Sequence, residues 1–246
     1  MANKDYIWSY LFRQGLTTPA VFGLMGNMQA ESAFIPNNLQ DSYEKKLGFT
    51  NETYTAAVDG GAYANFAIDK AGYGLCQWTS DGRKAALLSF AQSTSRSIGN
   101  IDMQLAFLMR ELNGAYRGVL NGILNATTIR QASDIVLTQF ERPADQSENA
   151  KKYRASLGEK LYEEYKKAGG MNTITTQNPY KEPTGNVSMA RDEVRWIQYA
   201  LNAKGYKLAV DGIWGKATEE AVRAFQADHG LVVDGIVGKL TRAALQ

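Results

Sequence analysis

The chain has 246 residues, 44% of them hydrophobic, with a net charge of +2. That suits one large domain or two smaller ones with a packed core, and the near-neutral balance does not point to nucleic acid. Apolar runs fall short of the roughly 20 residues a membrane helix needs, and no basic stretch leading into an apolar segment marks a signal peptide.

Cysteine and histidine occur once each, as Cys76 and His229. No disulfide can form within the chain. A zinc hydrolase needs two or three histidine ligands, and a Ser-His or Cys-His hydrolase needs a histidine beside its nucleophile. Neither can be assembled before residue 168, so no metal and no cofactor is expected. Carboxylates, lysines and tyrosines remain as proton carriers. Cys76 reads as a small core residue.

A first helix is expected over Asp5–Gln14, on the spacing of Tyr6, Ile7, Tyr10 and Leu11, with Gly15 as its stop. Thr18 and Pro19 open a second helix. It carries Val21, Phe22, Leu24, Met25 and Met28 and ends between Ser32 and Phe34, before Pro36. Gly23 and Gly26 weaken that helix by about 1 kcal/mol each; close approach of another backbone explains their presence. From Pro36 to Thr79 the pattern breaks into a polar, aromatic, glycine-containing lobe, with a short strand over 53–58 and a small hairpin as options. Helices resume over Arg83–Ala91, over Ile101–Leu112 behind an Asn100 cap, over Ile129–Phe140 and over Ser147–Lys167.

Residues 169–188 form a linker, rich in Gly-Gly, Asn-Pro, Glu-Pro and Thr-Gly steps. After it, Ala190–Lys204 has helical spacing. Two copies of Asp-Gly-Ile-x-Gly-Lys-x-Thr then follow, at Asp211 and Asp234, each a turn entering a helix: Lys216–Asp228 and Lys239–Leu245. The fold class expected is mainly α. A domain over 1–168 with a small irregular or β lobe precedes a three-helix bundle over 189–246.

Two motifs in the first domain carry chemistry. Gly26-Asn27-Met28-Gln29-Ala30-Glu31-Ser32 puts a carboxylate at the C-terminal end of an apolar helix. There the helix dipole and the apolar neighbours both favour a protonated acid, which a glycosidase general acid requires. A solvated glutamate at a fraying helix end is the plainer alternative. Gly72-Tyr73-Gly74-Leu75-Cys76-Gln77-Trp78-Thr79 combines backbone freedom at glycine, an amide suited to a sugar acetamido group and aromatic faces at Tyr73 and Trp78. A buried aromatic turn is its plain alternative.

These motifs, with Tyr54 to Phe66, Arg83, Phe140-Glu141-Arg142-Pro143-Ala144 and Arg154, resemble the phage tail lysozyme family over roughly residues 3–166. A more distant similarity is to goose-type lysozymes and soluble lytic transglycosylases. The resemblance implies a lysozyme-superfamily fold and cleavage of β-1,4 bonds between N-acetylmuramic acid and N-acetylglucosamine in bacterial peptidoglycan, with Glu31 as the acid. Gln77, Tyr73, Trp78, Ser32 and Tyr63 are the expected substrate contacts. Asp69 is the expected base, with Asp59 and Asp41 as rivals; an inverting hydrolase needs a base across the sugar from the acid. A lytic transglycosylase would need none, and a non-catalytic wall-binding or virion protein is the remaining reading. The last 57 residues resemble the peptidoglycan-binding domain 1 family. Tyr206 and Trp214 are candidate wall contacts there, while Phe225 reads as core. The expected setting is a monomeric endolysin held in the host cytoplasm until lysis.

Overall fold

The structure, a computed structural model, describes residues 2–168, 182 and 191–246. The linker expected at 169–188 lies, Glu182 apart, outside the described residues. Twelve α-helices and one π-helical turn make up the regular structure among the described residues. Extended pairing is reduced to isolated antiparallel bridges, Leu39 with Tyr73 and Tyr73 with Trp78. The mainly helical expectation holds, and the hairpin survives only as these bridges.

The described chain forms two units. Residues up to Trp8 belong with Pro19–Tyr162, and Ser9–Thr18 belong with Glu163–Gln246. Helices α1 (Asn3–Arg13) and α2 (Thr18–Ser32) fall within two residues of their expected bounds. Every residue of α2 from Ala20 to Met28 is buried. A helix apolar all round is a core helix, and this one is the centre of its unit.

The small residues of α2 are explained by what touches them. A Cβ on Gly26 would lie 2.4 Å from the Arg154 carbonyl oxygen, and one on Gly23 would lie 2.6 Å from the Ala132 Cβ. From the other side, a Cβ on Gly158 would lie 2.3 Å from the Phe22 carbonyl oxygen. Here α2 and α9 (Glu148–Lys167) meet backbone to backbone, through glycines that face each other.

The irregular lobe holds two helices that the sequence pattern did not reveal, α3 (Asp41–Leu47) and α4 (Asn51–Asp59). The strand expected over 53–58 is therefore corrected to helix. The reason is local: Thr50 Oγ1 accepts from the Thr53 amide while Thr53 Oγ1 accepts from the Thr50 amide, a reciprocal cap that outweighs β-branched propensity. Tyr54 and Val58, one turn apart, are the buried face.

Next come α5 (Asp81–Ser93), α6 (Ile101–Asn113), α7 (Arg117–Asn125) and α8 (Ile129–Ile135). The Asn100 cap of α6 forms as expected, its side chain accepting from the Met103 amide at 3.0 Å. Helix α7 lies between two expected elements and has no counterpart in the sequence pattern. The helix expected to run to Phe140 stops being α at Ile135 and continues as a π-turn over Val136–Glu141. It closes with Arg142 left-handed at φ 52°, its amide donating to the Leu137 carbonyl at 2.8 Å.

In the second unit α10 (Arg191–Ala203), α11 (Lys216–Asp228) and α12 (Lys239–Leu245) surround a core that includes Trp196, Ile197, Leu201, Val222, Phe225, Val237 and Leu245. Phe225 is fully buried, as expected of a core residue. Both Asp-Gly-Ile turns hang on one device. The Gln198 amide donates to Asp211 Oδ1, the Ile213 carbonyl and Thr218 Oγ1, and accepts from the Gly212 amide. Gln226 repeats this with Asp234, Ile236, Thr241 and Gly235. Both glutamines are 1% exposed, so each buried amide is satisfied by a turn that only this loop shape supplies.

Gly26→Ala should destabilise the protein although alanine is the better helix former, because overpacking against a backbone oxygen costs about 1–3 kcal/mol. Gly118→Ala on α7, where nothing lies within 4 Å of the added carbon, should be neutral or stabilising by up to about 1 kcal/mol. Denaturant unfolding of the two variants checks the contrast; equal shifts would mean the α2–α9 contact is not tight.

Candidate active site

An open, largely polar cleft of about 1000 Å³ lies at the C-terminal end of α2. Its walls are Gln29–Ala33, the start of α3 with Gln40, Asp41 and Tyr43, the residues Lys70, Gln77 and Thr79, and the segment 141–144. The backbone here is unusual. Six non-glycine residues have positive φ among the described residues, and four of them, Ala33, Lys70, Gln77 and Arg142, line this cleft. Left-handed backbone at a residue with a Cβ costs of order 1–3 kcal/mol and gathers at functional sites.

Glu31 faces the cleft from the last turn of α2, its side chain 16% exposed, with Arg154 Nη1 at 2.6 Å from Oε1. The sequence reading set this carboxyl among apolar neighbours at the helix end; in the fold, α9 places a cation beside it. The same Arg154 group donates to Asn27 Oδ1 at 3.3 Å. Asn27, one turn before Glu31, is fully buried and donates to the Gly23 and Ser133 carbonyls. The residues of the first motif thus act together. Gly26 admits α9, Asn27 fixes its arginine, and Glu31 meets that arginine at the cleft wall. Ser32 is buried, its hydroxyl directed to the Met28 and Leu75 carbonyls at 3.1 Å each. It ties the helix end to the second motif through the one proton it can donate.

The second motif is held just as closely. Gly74, at φ 78°, packs against Gln104, which accepts from the Leu75 amide and donates to the Pro36 and Ile98 carbonyls. Gln77 reaches the cleft, but its amide nitrogen is held by the Asn38 and Gly74 carbonyls at 3.1 and 3.2 Å. Tyr73 and Trp78 do not reach it. Both are fully buried, Tyr73 bonded to Thr55 Oγ1 at 2.6 Å and Trp78 donating to Glu111 at 2.8 Å. Their size and apolar faces serve the core, which corrects their expected role as sugar platforms. Tyr63 is also outside the cleft wall, packed on Phe49 and Tyr54 with its hydroxyl toward Asp69. The aromatic residue that does line the cleft is Tyr43, with Ile35 nearby at 41% exposure. Only their place in an irregular polar segment could have marked them.

Asp69 is likewise not at the cleft. Its side chain is 2% exposed and pairs at 2.5 Å with Lys84, which is 0% exposed. Tyr54 and the Ala71 amide donate to it as well. Burial is the largest influence on the Lys84 ammonium and lowers its pKa, with Asp69 opposing. A carboxylate so enclosed cannot meet a substrate water, so the expected base role does not fit its placement. Of its rivals, Asp59 accepts from the Ile98 amide at 2.9 Å outside the cleft, and Asp41 lines the cleft at the start of α3.

Sequence reasoning missed Glu141 as a site residue. It lines the cleft from the end of the π-turn, and its Oε1 is buried with no hydrogen-bond partner among the described residues. Burial, then the charge of Glu31, pushes its carboxyl well above the usual carboxylate range. Cys76 is buried, burial raising its thiol pKa well above the ordinary value, in keeping with a core residue.

In the second unit Tyr206 and Trp214 are half-buried and packed against the core cluster, and the Tyr206 hydroxyl donates to Asp228 at 2.6 Å. Ile213, Ile236 and Leu240 are exposed beside the two Asp-Gly-Ile turns.

Residues 2–165 match the family described as phage tail lysozyme, and residues 190–245 match peptidoglycan-binding domain 1.

Asp69→Asn should behave as a stability variant. Removing one partner of a buried ion pair leaves the Lys84 charge uncompensated, at a cost of about 3–5 kcal/mol. Denaturant unfolding should show that loss, while activity per folded molecule stays within about tenfold of wild type. A stable Asp69→Asn protein with little activity would restore Asp69 to the chemistry.

Proposed function

The chain belongs to the phage tail lysozyme family, and from that premise we propose that it cleaves the β-1,4 bonds between N-acetylmuramic acid and N-acetylglucosamine in peptidoglycan, with Glu31 as general acid. The two family matches together support a peptidoglycan-lytic enzyme acting on the cell wall. The observation that supports the finer reading is Glu31 itself: a carboxyl at the wall of a polar cleft, paired with Arg154 on one side and open to the cleft on the other. Protonating the glycosidic oxygen turns a poor leaving group into an alcohol as the C1–O bond breaks. Tyr43 and Ile35 offer the apolar surface for a sugar ring. We further propose a cutting domain over 1–168 and a wall anchor over 189–246, acting as a monomer that stays in the host cytoplasm until lysis.

A second reading has one observation in its favour. Asp69, the expected base, is enclosed, which leaves Asp41 as the rival at the cleft; a lytic transglycosylase needs no base, because it uses the substrate's own hydroxyl instead. Mass spectrometry of digested walls separates the two: anhydro-muramic ends from a transglycosylase, reducing ends from a hydrolase.

Glu31→Gln keeps the side chain's shape and loses its transferable proton. Glycan cleavage should fall by about 10²–10⁴-fold with unfolding unchanged, and retention of a tenth of wild-type activity would remove Glu31 from the role. Residues 189–246 expressed alone should sediment with purified walls and release no glycan ends. The full chain should outpace the isolated 1–168 segment on whole walls, because an anchor raises the effective concentration of the cleft near an insoluble substrate.

A further inference from the structure

Glu141 lines the same cleft as Glu31 and takes no part in the chemistry described so far. Its position is built rather than incidental. The π-turn Val136–Glu141 ends on it, and π-turns inside helices occur frequently at functional sites. Arg83 Nη1 donates to the carbonyl of the preceding Phe140 at 3.3 Å, and the same guanidinium lies 4.4 Å over the Phe140 ring. Beyond it, the left-handed Arg142 closes the turn on Leu137.

The π-turn packs on α7 and α8, and the charges that act on the Glu141 carboxyl are Glu31 from α2, Arg83 from α5, Arg154 from α9 and Glu111 from α6. Their commitments decide its state. Arg83 is paired in two-pronged fashion with Glu111, at 2.7 and 2.8 Å, so the two largely cancel. Arg154 is paired with Glu31 at 2.6 Å. Neither cation is left to balance a second negative charge, and the buried Oε1 finds no donor among the described residues. An ionised carboxylate with one oxygen stranded in this way is costly, whereas a neutral acid is tolerated.

We propose that Glu141 is the proton-holding partner of Glu31, the two carboxyls carrying one proton between them and Glu31 delivering it to the glycosidic oxygen. The proposal rests on the glycan-cleaving reading of this cleft. In the resting pair Glu31 is the carboxylate against Arg154 and Glu141 is the acid. The proton passes from Glu141 to Glu31, and from Glu31 to the glycosidic oxygen as the C1–O bond breaks and the sugar leaves as an alcohol. The incoming oxygen nucleophile, water or a sugar hydroxyl, bonds to C1 and gives its proton to the pair, restoring the single shared proton. Glu141 acts through Glu31 and is a positioning residue. Two carboxyls that share a proton titrate as a unit.

The test uses the full-length chain and release of glycan ends from purified walls, followed from about pH 4 to about pH 9. Glu141→Gln should lose about 10²-fold at neutral pH, and its remaining activity should move toward lower pH. The carboxyl whose proton burial holds to higher pH is then gone. Glu141→Asp, which keeps a carboxyl, should recover part of the loss. Infrared difference spectra at neutral pH should show the carbonyl stretch of a protonated acid in wild type and not in Glu141→Gln. Glu141→Gln with an unchanged pH profile and activity within about tenfold of wild type, beside an inactive Glu31→Gln, would overturn the proposal and leave the site reading standing. An active Glu31→Gln would instead remove the site reading. The infrared band would then decide alone whether Glu141 holds the proton, its persistence in Glu141→Gln overturning the claim.

Discussion

The approach of α9 to α2 governs where every other part of the cleft can go. Gly26 and Gly158 remove the side chains that would hold the two backbones apart; a Cβ on either would sit within 2.4 Å of a carbonyl oxygen on the other helix. Only at that separation does Arg154 reach both Asn27 and Glu31. The same contact accounts for burying a helix with glycines in its interior. The helix cost of about 1 kcal/mol for each glycine is offset by dispersion contacts along a tight seam and by an ion pair sheltered from solvent.

Around that seam, buried polar groups act as fixed struts. Gln104 holds the Gly74–Leu75 turn, Glu111 takes both Trp78 and Arg83, and Asn27 takes Ser133 and Arg154. Each satisfies backbone or charged groups that would otherwise be stranded away from water. Such networks rigidify when every member is satisfied. Here they hold strained residues such as Ala33 and Gln77 in left-handed backbone at the cleft wall. A scaffold of this kind can present carboxyls in a fixed place with little reorganisation on binding.

The second unit applies the same logic at smaller scale. Its core is too small to order two exposed turns by burial alone, and each turn is fastened by one internal glutamine instead, Gln198 or Gln226. The Asp-Gly-Ile repeat in the sequence is thus the outer half of a device whose inner half, the glutamine, precedes each repeat at a different distance. The fastened turns leave Ile213 and Ile236 exposed at equivalent positions.

How much of this was legible in the sequence depends on the range of the interaction involved. Helices governed by local rules were legible: α2 through its Pro19 entry and apolar run, α6 through Asn100, and α11 and α12 through the turns that open them. The place of Glu31 at the end of α2 was legible because it follows from that helix alone, whereas the Arg154 paired with it comes from α9. The helix α4 was hidden, since its reciprocal threonine cap competes with a strand-like run of β-branched residues. The roles of Tyr73, Trp78 and Asp69 were decided by tertiary structure alone. An aromatic face or a carboxylate looks the same in sequence whether it meets solvent or Glu111 and Lys84 from a distant helix. Glu141 shows the same limit from the other side. Its chemistry comes from the charges of α2, α5, α6 and α9 that converge on it and from a π-turn that redirects the end of its helix. Periodicity describes a residue's own helix; burial and electrostatic environment depend on what packs against it, and only the folded chain decides that.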